Sequence, residues 1–221
     1  MAPTDRQSAR LVAALRARGV RDERVLAAIG AVPRHAFVEP AFRARAYEDE
    51  ALPLTLGQTI SQPSTVAAMT VLLGVAPGDR ILEVGTGSGY QAAVIAAMGA
   101  HVFSVERHAP IFERTRALLA RLGVPVQTRL GDGHAGWAAR APYDGIIVTA
   151  GGPAGPAALV AQLRLPREGR PDARLVIPVG PPGRQTLHRI TRTGEATTRD
   201  EALHDVLFVP FVPGTAGRAP G

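Results

Sequence analysis

The sequence contains no cysteine and no lysine, and only 5% of its residues are aromatic. Without cysteine, the chain has no disulfide framework, no thiolate nucleophile and no cysteine-based zinc site. Its six histidines show neither HxxxH nor HExxH spacing, so we expect no metal site. No apolar run is long enough to cross a bilayer. We therefore expect a cytoplasmic protein that has no membrane partner.

The positive charge of the chain comes from arginine alone, with 25 arginines and a formal net charge of +6. These arginines are scattered among acids, as in "RVLAAIGAVPRHAFVEPAFRARAYEDE", and no aromatic RNA-binding motif or basic helix accompanies them. A nucleic-acid-binding surface needs clustered positive charge. We therefore expect no nucleic-acid partner. The sequence shows no dimer seam either, which favours a monomer.

The chain is long enough to bury a substantial core, since it has 221 residues and is 46% hydrophobic. We divide it into an N-terminal part, residues 1–62, a main domain, residues 63–213, and a flexible tail, residues 214–221. Apolar positions at helical spacing predict two short helices in residues 5–30. Residues 31–62 contain three prolines and predict mostly loop, which at this length is usually functional or disordered.

Helices and strands alternate from Pro63 onward. The predicted strands with helices between most of them are "RILEVG", "HVFSVE", "VPVQTRL", "YDGIIVTAG" and "ARLVIPVG". This alternation predicts βαβ units and a parallel sheet with helices on both faces. The last two predicted strands, "QTLHRITRT" and "HDVLFVPFVP", have no helix between them. The predicted fold class is thus α/β: a doubly wound, Rossmann-like, mostly parallel sheet that ends in an antiparallel piece and carries an N-terminal helical extension.

The most informative motif is "ILEVGTGSGY", residues 81–90. A strand runs into glycines at alternate positions, and a helix follows. Glycine lets the backbone turn sharply and approach a ligand closely, while the helix N-terminus presents N–H groups. The dinucleotide fingerprint G-x-G-x-x-G is not matched, because Tyr90 stands where its third glycine would fall. A Gly-Lys-Ser/Thr phosphate loop is absent too, so the motif favours a nucleoside ligand without a pyrophosphate.

Three acidic residues lie near loops at the same predicted edge of the sheet. Glu106 ends the next strand, 21 residues after Gly85, close to the spacing at which an acid meets ribose hydroxyls. Asp132, within "GDG", is placed to accept a hydrogen bond from an adenine amino group. Glu83 either holds the amino-acid end of the ligand or caps the turn. Taken singly, Glu106 could be a surface acid and Asp132 part of an ordinary Asp-Gly turn.

Loops that meet a ribose and an adenine at one sheet edge resemble those of class I S-adenosylmethionine-dependent methyltransferases. A longer ordered series of motifs narrows the resemblance: "VPRHAFV", "GQTISQP", "LEVGTGSGYQAAV", "VERHAPIFERTRALLARLG", "GDGHAGW", "YDGIIVTA" and "LVIPVG". This series, over residues 31–212, resembles the protein-L-isoaspartate O-methyltransferase family. The stretch "GQTISQP" ahead of this form of glycine turn is more specific than the turn alone.

The resemblance implies a cofactor, S-adenosyl-L-methionine, and a reaction. The implied cofactor-binding residues are Ile60, Glu83, Gly85, Thr86, Gly87, Glu106, Asp132 and Gly133. The implied reaction is methyl transfer to the free α-carboxyl of L-isoaspartyl residues in damaged proteins or peptides. The methyl ester then closes to a succinimide, whose hydrolysis restores some normal aspartate.

The implied methyl transfer does not require a general base from the protein. A carboxylate has a reference pKa of about 4, so it is already an anion at neutral pH and needs no general base. The enzyme has to align the carboxylate oxygen, the methyl carbon and the sulfonium sulfur for in-line displacement.

By its match to the family motif, Ser61 is implied to be catalytic, as a hydroxyl donor to the substrate carboxylate. Thr59 is implied to belong to the catalytic residues of the same loop, which Gln58 would help to shape. The alternative for Ser61 is a cap for the helix after Pro63. Residues 54–56, "LTL", depart from the family pattern, in which a histidine is common on the approach to Gly57. The departure puts the peptide preference in question.

Two other functions remain open from the sequence. The first keeps the fold and the cofactor but takes an aspartate of a dedicated biosynthetic peptide as acceptor. The second is a non-catalytic, arginine-rich binding module on the same fold. The glycine turn, Glu106 and "GQTISQP" argue against the second function.

Overall fold

Two helices open the chain in the computed structural model, which describes residues 3–217. They are α1, Pro3–Ala17, and α2, Glu23–Ala31, as the apolar spacing predicts. Helix α2 begins where the Asp22 carboxylate accepts the backbone N–H groups of Arg24 and Val25, which satisfies donors that have no partner inside the helix. Within the described residues, none of the helices combines the length and apolar character that a bilayer span requires.

The segment predicted to be mostly loop, residues 31–62, contains more regular structure than expected. It holds three short 3₁₀ helices, Arg34–Ala36, Pro40–Arg45 and Thr55–Gly57. It also holds a small antiparallel hairpin of β1, Leu52–Pro53, and β2, Thr59–Ile60. Elements this short carry no periodic apolar pattern, so the sequence gives no sign of them.

The remaining elements alternate as predicted. The helices are α3 (Pro63–Leu73), α4 (Tyr90–Ala97), α5 (Ala109–Arg121) and α6 (Ala157–Gln162). The strands are β3 (Arg80–Val84), β4 (His101–Glu106), β5 (Val126–Leu130), β6 (Gly145–Val148), β7 (Arg174–Val179), β8 (Gln185–Arg192) and β9 (Thr198–Val206). Two more 3₁₀ turns, Gly133–Ala135 and Ala138–Arg140, follow β5.

These strands form one seven-stranded sheet in the order β5-β4-β3-β6-β7-β8-β9. Neighbours from β5 to β7 pair in parallel, whereas β8 and β9 pair antiparallel. The predicted fold class is confirmed. The chain winds from β3 towards β5 and then returns to β6 on the other side of β3. The carboxyl ends of β3 and β6 therefore flank the switch point where such sheets bind ligands.

Alternate residues along the strands pack into two hydrophobic cores. Ile81 of β3 packs into a cluster that includes residues from α1 to α5, whereas the next residue, Leu82, packs into a second cluster with Leu159 of α6. Leu15 and Leu26 of the N-terminal helices belong to the first cluster. The N-terminal helices thus share a core with the sheet. The boundary at residues 62 and 63 stays a prediction.

The final predicted strand, residues 204–213, is wrong in its position. Strand β9 covers Thr198–Val206, and the chain then leaves the sheet. Pro210 and Pro213 have no N–H to donate to a strand ladder, so the later residues cannot continue it. The true strand lies at the sheet edge and most of its residues are exposed, so its sequence lacks the apolar alternation that marks a strand.

The predicted tail, residues 214–221, is described only as far as residue 217. Ala216 donates its N–H to the Arg107 carbonyl over 2.8 Å and accepts from the Ala109 N–H over 3.3 Å. Residues 218–221 lie outside the described residues. Flexibility of the tail stays a prediction.

Candidate active site

The turn after β3 is built for close approach of the backbone. Gly85, Gly87 and Gly89 have φ values of 96°, 50° and 85°, in the region that side chains disfavour. The Thr149 hydroxyl donates to the Gly85 carbonyl over 2.7 Å, and a Cβ on Gly85 would overlap that hydroxyl. The turn leads into the N-terminus of α4 at Tyr90. Its shape therefore depends on glycine at position 85.

Glu106 is fixed beside this turn by backbone donors. Its Oε2 accepts the Gly87 N–H over 3.0 Å, and its Oε1 accepts the His108 N–H over 2.9 Å. The residue is only 4% exposed. Each carboxylate oxygen has a second lone pair, so Glu106 can still accept hydrogen bonds from a diol.

A hydroxyl chain links the turn to Glu83. The Ser104 hydroxyl donates to Glu83 Oε2 over 2.6 Å and lies 2.6 Å from the Thr86 hydroxyl. A serine has one hydroxyl hydrogen, so Thr86 donates to Ser104 and Ser104 donates to Glu83. The other oxygen of Glu83, Oε1, is buried and has no hydrogen-bond partner within residues 3–217.

The Glu83 carboxyl is fully buried, and its pKa is strongly shifted. Burial raises the pKa of Glu83 to about 8, the hydrogen bond from Ser104 opposes the rise, and the negative charge of Glu106 adds to it. Glu83 is thus largely protonated at neutral pH when no ligand is present. A buried acid with one unpartnered oxygen suits a ligand-binding position.

The stretch "GQTISQP", residues 57–63 and here called the GQTISQP loop, starts in the hairpin and ends at α3. Ile60 pairs with Leu52 across the hairpin and is buried, whereas Ser61 is half-buried. The alternative role of Ser61, as the cap of α3, is wrong. The cap position is occupied by Gln62, and the Ser64 N–H donates instead to the Asp49 carboxylate over 2.8 Å.

The glycine turn and the GQTISQP loop face a single cavity of about 940 Å³. It is lined by these residues of the predicted site: Gln58, Thr59, Ile60, Ser61, Glu83, Gly85, Thr86, Gly87, Glu106 and Gly133. Among the described site residues, only Asp132 does not line it. The Asp132 carboxylate accepts the His134 N–H over 2.8 Å, as expected for an Asp-Gly turn. A role for Asp132 at adenine stays a prediction.

The C-terminal segment, residues 207–212, also lines the cavity. The sequence "LFVPFVP", residues 207–213, resembles the family's substrate-covering region, but the sequence alone assigns no role to its individual side chains. The Gln185 amide holds this segment, because its Nε2 donates to the Phe208 carbonyl over 3.2 Å and its Oε1 accepts the Phe208 N–H over 2.7 Å. Phe211 stacks on the His134 ring at 3.8 Å between centroids. These contacts join residues far apart in the chain, and no local motif marks Gln185.

The order of elements and the lining of the cavity both agree with the family that the motifs indicate. A model of the family "Protein-L-isoaspartate(D-aspartate) O-methyltransferase (PCMT)" matches residues 6–216. The chain belongs to this family. The resemblance stated from the motifs is confirmed.

Relatives named protein-L-isoaspartate O-methyltransferase match almost the whole chain. The relative from Salinibacter ruber is 58% identical over 215 residues, covering 96% of this chain and 94% of its own. The relative from Methylorubrum extorquens is 53% identical over 204 residues, covering 92% and 87%. Both matches cover most of the two chains compared.

Solved structures agree on the fold. A protein-L-isoaspartate O-methyltransferase superposes with a TM-score of 0.81 at 29% identity, covering 95% of this chain and 67% of that one. A second structure, from Plasmodium falciparum, superposes with a TM-score of 0.77 at 24% identity, covering 91% of this chain and 96% of that one. The chain therefore shares its overall fold with these two structures.

Proposed function

We propose that this chain transfers the methyl group of S-adenosylmethionine to the free α-carboxylate of L-isoaspartyl residues in damaged proteins and peptides. The observation that carries the proposal is the meeting of the GQTISQP loop and the glycine turn at one cavity, in a chain 58% identical to a protein-L-isoaspartate O-methyltransferase. The methyl ester closes to a succinimide, and hydrolysis of the succinimide restores some normal aspartate. The reaction thereby begins a repair.

The cofactor side of the cavity fits S-adenosylmethionine. Glu106 has the free lone pairs to accept the ribose hydroxyls, and Gly133 gives the adenine a wall without a side chain. Glu83 Oε1 is a buried oxygen that lacks a partner among the described residues. It would accept from the ammonium group of the cofactor once that positive charge has stabilised the ionised carboxylate. When bound, S-adenosylmethionine supplies a methyl group activated by its sulfonium.

The acceptor side needs orientation more than acid–base chemistry. The substrate carboxylate is ionised at neutral pH, so no residue has to remove a proton. The Ser61 hydroxyl donates to one carboxylate oxygen and orients the other for attack, while Thr59 and Gln58 shape the loop around it. Holding the reacting atoms in line can lower the barrier by several kcal/mol.

The deciding experiment measures transfer of labelled methyl from S-adenosylmethionine to an isoaspartyl peptide and to the matched aspartyl peptide. Transfer to the isoaspartyl peptide alone supports the proposal. Transfer to the aspartyl peptide alone favours a carboxyl methyltransferase for a dedicated aspartyl acceptor. Tight cofactor binding without transfer to either peptide, together with salt-sensitive nucleic-acid binding, favours the non-catalytic binding module.

A further inference from the structure

Asp49 lies outside the cavity but contacts the end of the GQTISQP loop. Its Oδ1 accepts the Ser64 N–H over 2.8 Å, and its Oδ2 accepts from Gln62 Nε2 over 3.3 Å. The Arg18 guanidinium lies 3.2 Å from the same Oδ2, and the Asp49 side chain is 9% exposed. Both carboxylate oxygens are therefore engaged in a nearly buried setting, where charge-assisted hydrogen bonds are strong.

These contacts supply a helix cap that α3 lacks. Pro63 is the first residue of α3 and has no N–H, so Ser64 carries the first backbone donor of the helix. The Gln62 side chain makes no capping bond within the described chain. Asp49 thus caps α3 from 15 residues away, and this fixes the point at which the GQTISQP loop ends.

Ser61 depends on this arrangement for its position. Its hydroxyl has no hydrogen-bond partner in the part of the chain that the structure describes, so its place is set by the backbone on either side. On one side, Ile60 pairs with Leu52. On the other side, Gln62 and Ser64 are held by Asp49. Loss of the Asp49 carboxylate would release the loop at one end only.

The backbone on either side of Asp49 is held by Arg34. Arg34 is fully buried, and it donates to the Ala46 carbonyl over 2.8 Å and to the Glu50 carbonyl over 3.3 Å. The Arg34 guanidinium also lies over the Tyr90 ring at 4.7 Å from its centroid. Since Tyr90 is the first residue of α4, this support connects Asp49 to the glycine turn.

We propose that Asp49 is a positioning residue that holds Ser61 in place for methyl transfer. The inference rests on the proposed function, because it assigns Asp49 a role in that reaction through Ser61. It predicts an effect on kcat with little effect on cofactor binding, since Asp49 does not line the cavity.

The test is a double-mutant cycle with the isoaspartyl peptide as substrate. We expect Asp49→Ala to lower kcat about 10- to 100-fold, with the Kd for S-adenosylhomocysteine, measured by calorimetry, within about twofold of wild type. Asp49→Asn is the milder variant, because its amide keeps one acceptor but turns a donor towards Gln62 and Arg18. We expect about a threefold to tenfold loss of kcat from it.

In the Ser61→Ala background, we expect either change at Asp49 to lower kcat by less than about twofold. The matched control is Glu48→Gln, which alters the neighbouring exposed acid and its ion pair with Arg45, and should leave kcat unchanged. If Asp49→Ala does not fold, the cycle is run with Asp49→Asn alone.

Equal losses of kcat from the Asp49 variants in both backgrounds would overturn the proposal, as would wild-type kcat in the Asp49 single variants. A weakened Kd for S-adenosylhomocysteine that matches the loss of kcat would overturn it too, since that points to a structural role. A wild-type protein that binds S-adenosylhomocysteine but does not methylate the peptide would overturn the proposed function, and this inference with it.

Discussion

The glycine turn and the GQTISQP loop face the same cavity, yet they are held by different means. The turn is shaped by backbone conformation and by the absence of side chains, most clearly at Gly85, where Thr149 occupies the space that a Cβ would need. The loop is held at its ends by the hairpin and by the Asp49 carboxylate. Adding atoms should therefore damage the turn, whereas removing hydrogen bonds should damage the loop.

This difference also separates two tasks. The turn, with Glu106 and Glu83 beside it, forms a surface with fixed backbone and buried acids, which suits a constant ligand such as a cofactor. The loop presents Ser61 from a segment only half-buried, which suits an acceptor that arrives within many different proteins. We call the turn side of the cavity the cofactor wall and the loop side the acceptor wall. Substitutions on the cofactor wall should accordingly change the Kd for the cofactor, whereas substitutions on the acceptor wall should change kcat.

The largest effect is expected from Gly85→Ala, with Gly57→Ala as its matched control on the other wall. Both glycines have positive φ, 96° and 68°, so both variants carry a backbone strain of about 1–2 kcal/mol. A Cβ on Gly57 meets no atom of the described chain within 4 Å, whereas one on Gly85 overlaps Thr149. We expect Gly85→Ala to lower the free energy of unfolding by about 3–5 kcal/mol and to abolish cofactor binding.

Urea unfolding and calorimetric titration with S-adenosylhomocysteine measure both outcomes. Gly57→Ala should lower the free energy of unfolding by about 1–2 kcal/mol and bind S-adenosylhomocysteine as wild type does. Equal destabilisation by the two variants would mean that steric closure at Gly85 does not distinguish the turn from the loop.

Ser61→Ala tests the GQTISQP loop. We expect kcat for the isoaspartyl peptide to fall about 100-fold, because the substrate carboxylate loses its orienting donor. The Kd for S-adenosylhomocysteine should change by less than about twofold. Steady-state kinetics with labelled cofactor give kcat, and calorimetry gives the Kd. Unchanged methyl transfer would remove Ser61 from the reaction.

What the sequence predicts well is local. The glycine turn is recognisable because Gly85, Gly87 and Gly89 lie within one short motif, and the parallel sheet is recognisable because its buried strands are continuous apolar runs. The sequence fails where contacts are long-range. Asp49 caps a helix 15 residues away, and Gln185 holds Phe208 from 23 residues away. Neither contact leaves a pattern in a short window.

The misplaced C-terminal strand has a related cause. Residues 207–212 are apolar because they line the cavity, so their composition imitates a buried strand. The true strand, β9, is polar because it lies at the sheet edge. None of residues 207–212 is buried, yet an apolar cavity lining and a buried strand have similar sequences, and only the tertiary structure separates them.

Glu83→Gln should remove the pH dependence of the free energy of unfolding that the Glu83 carboxyl causes. The folded pKa of Glu83 is about 8, against 4.5 for a glutamate exposed to solvent. Between these values the folded state holds a proton that the unfolded state has released, so the stability is full below the unfolded pKa and declines as pH rises through the folded pKa. We expect wild type to lose about 2 kcal/mol relative to Glu83→Gln between pH 6 and pH 8.

Urea unfolding of both proteins at several pH values in that window gives the difference. Ser61→Ala is the control from the other wall, because it removes no titrating group and should keep the wild-type slope. Parallel stability curves for wild type and Glu83→Gln would show that Glu83 is ionised in the folded protein.

The smallest effect is expected from Glu106→Gln. The amide has the same shape but only one acceptor oxygen, so it cannot accept from both Gly87 and His108 and also offer full charge to the ribose hydroxyls. We expect the Kd for S-adenosylhomocysteine to rise about tenfold, in line with one weakened charge-assisted hydrogen bond. At saturating cofactor, kcat should stay within about twofold of wild type.

Glu113→Gln, which changes an exposed acid paired with Arg116 on α5, is the matched control and should alter neither constant. The pattern for Glu106→Gln is the reverse of that for Ser61→Ala, in which kcat falls and the Kd holds. If Glu106→Gln instead lowers kcat more than it weakens cofactor binding, cofactor binding and catalysis are not separated between the two walls. The backbone donors at Gly87 and His108 would then connect the cofactor wall to the acceptor, and the turn would act in catalysis as well as in binding.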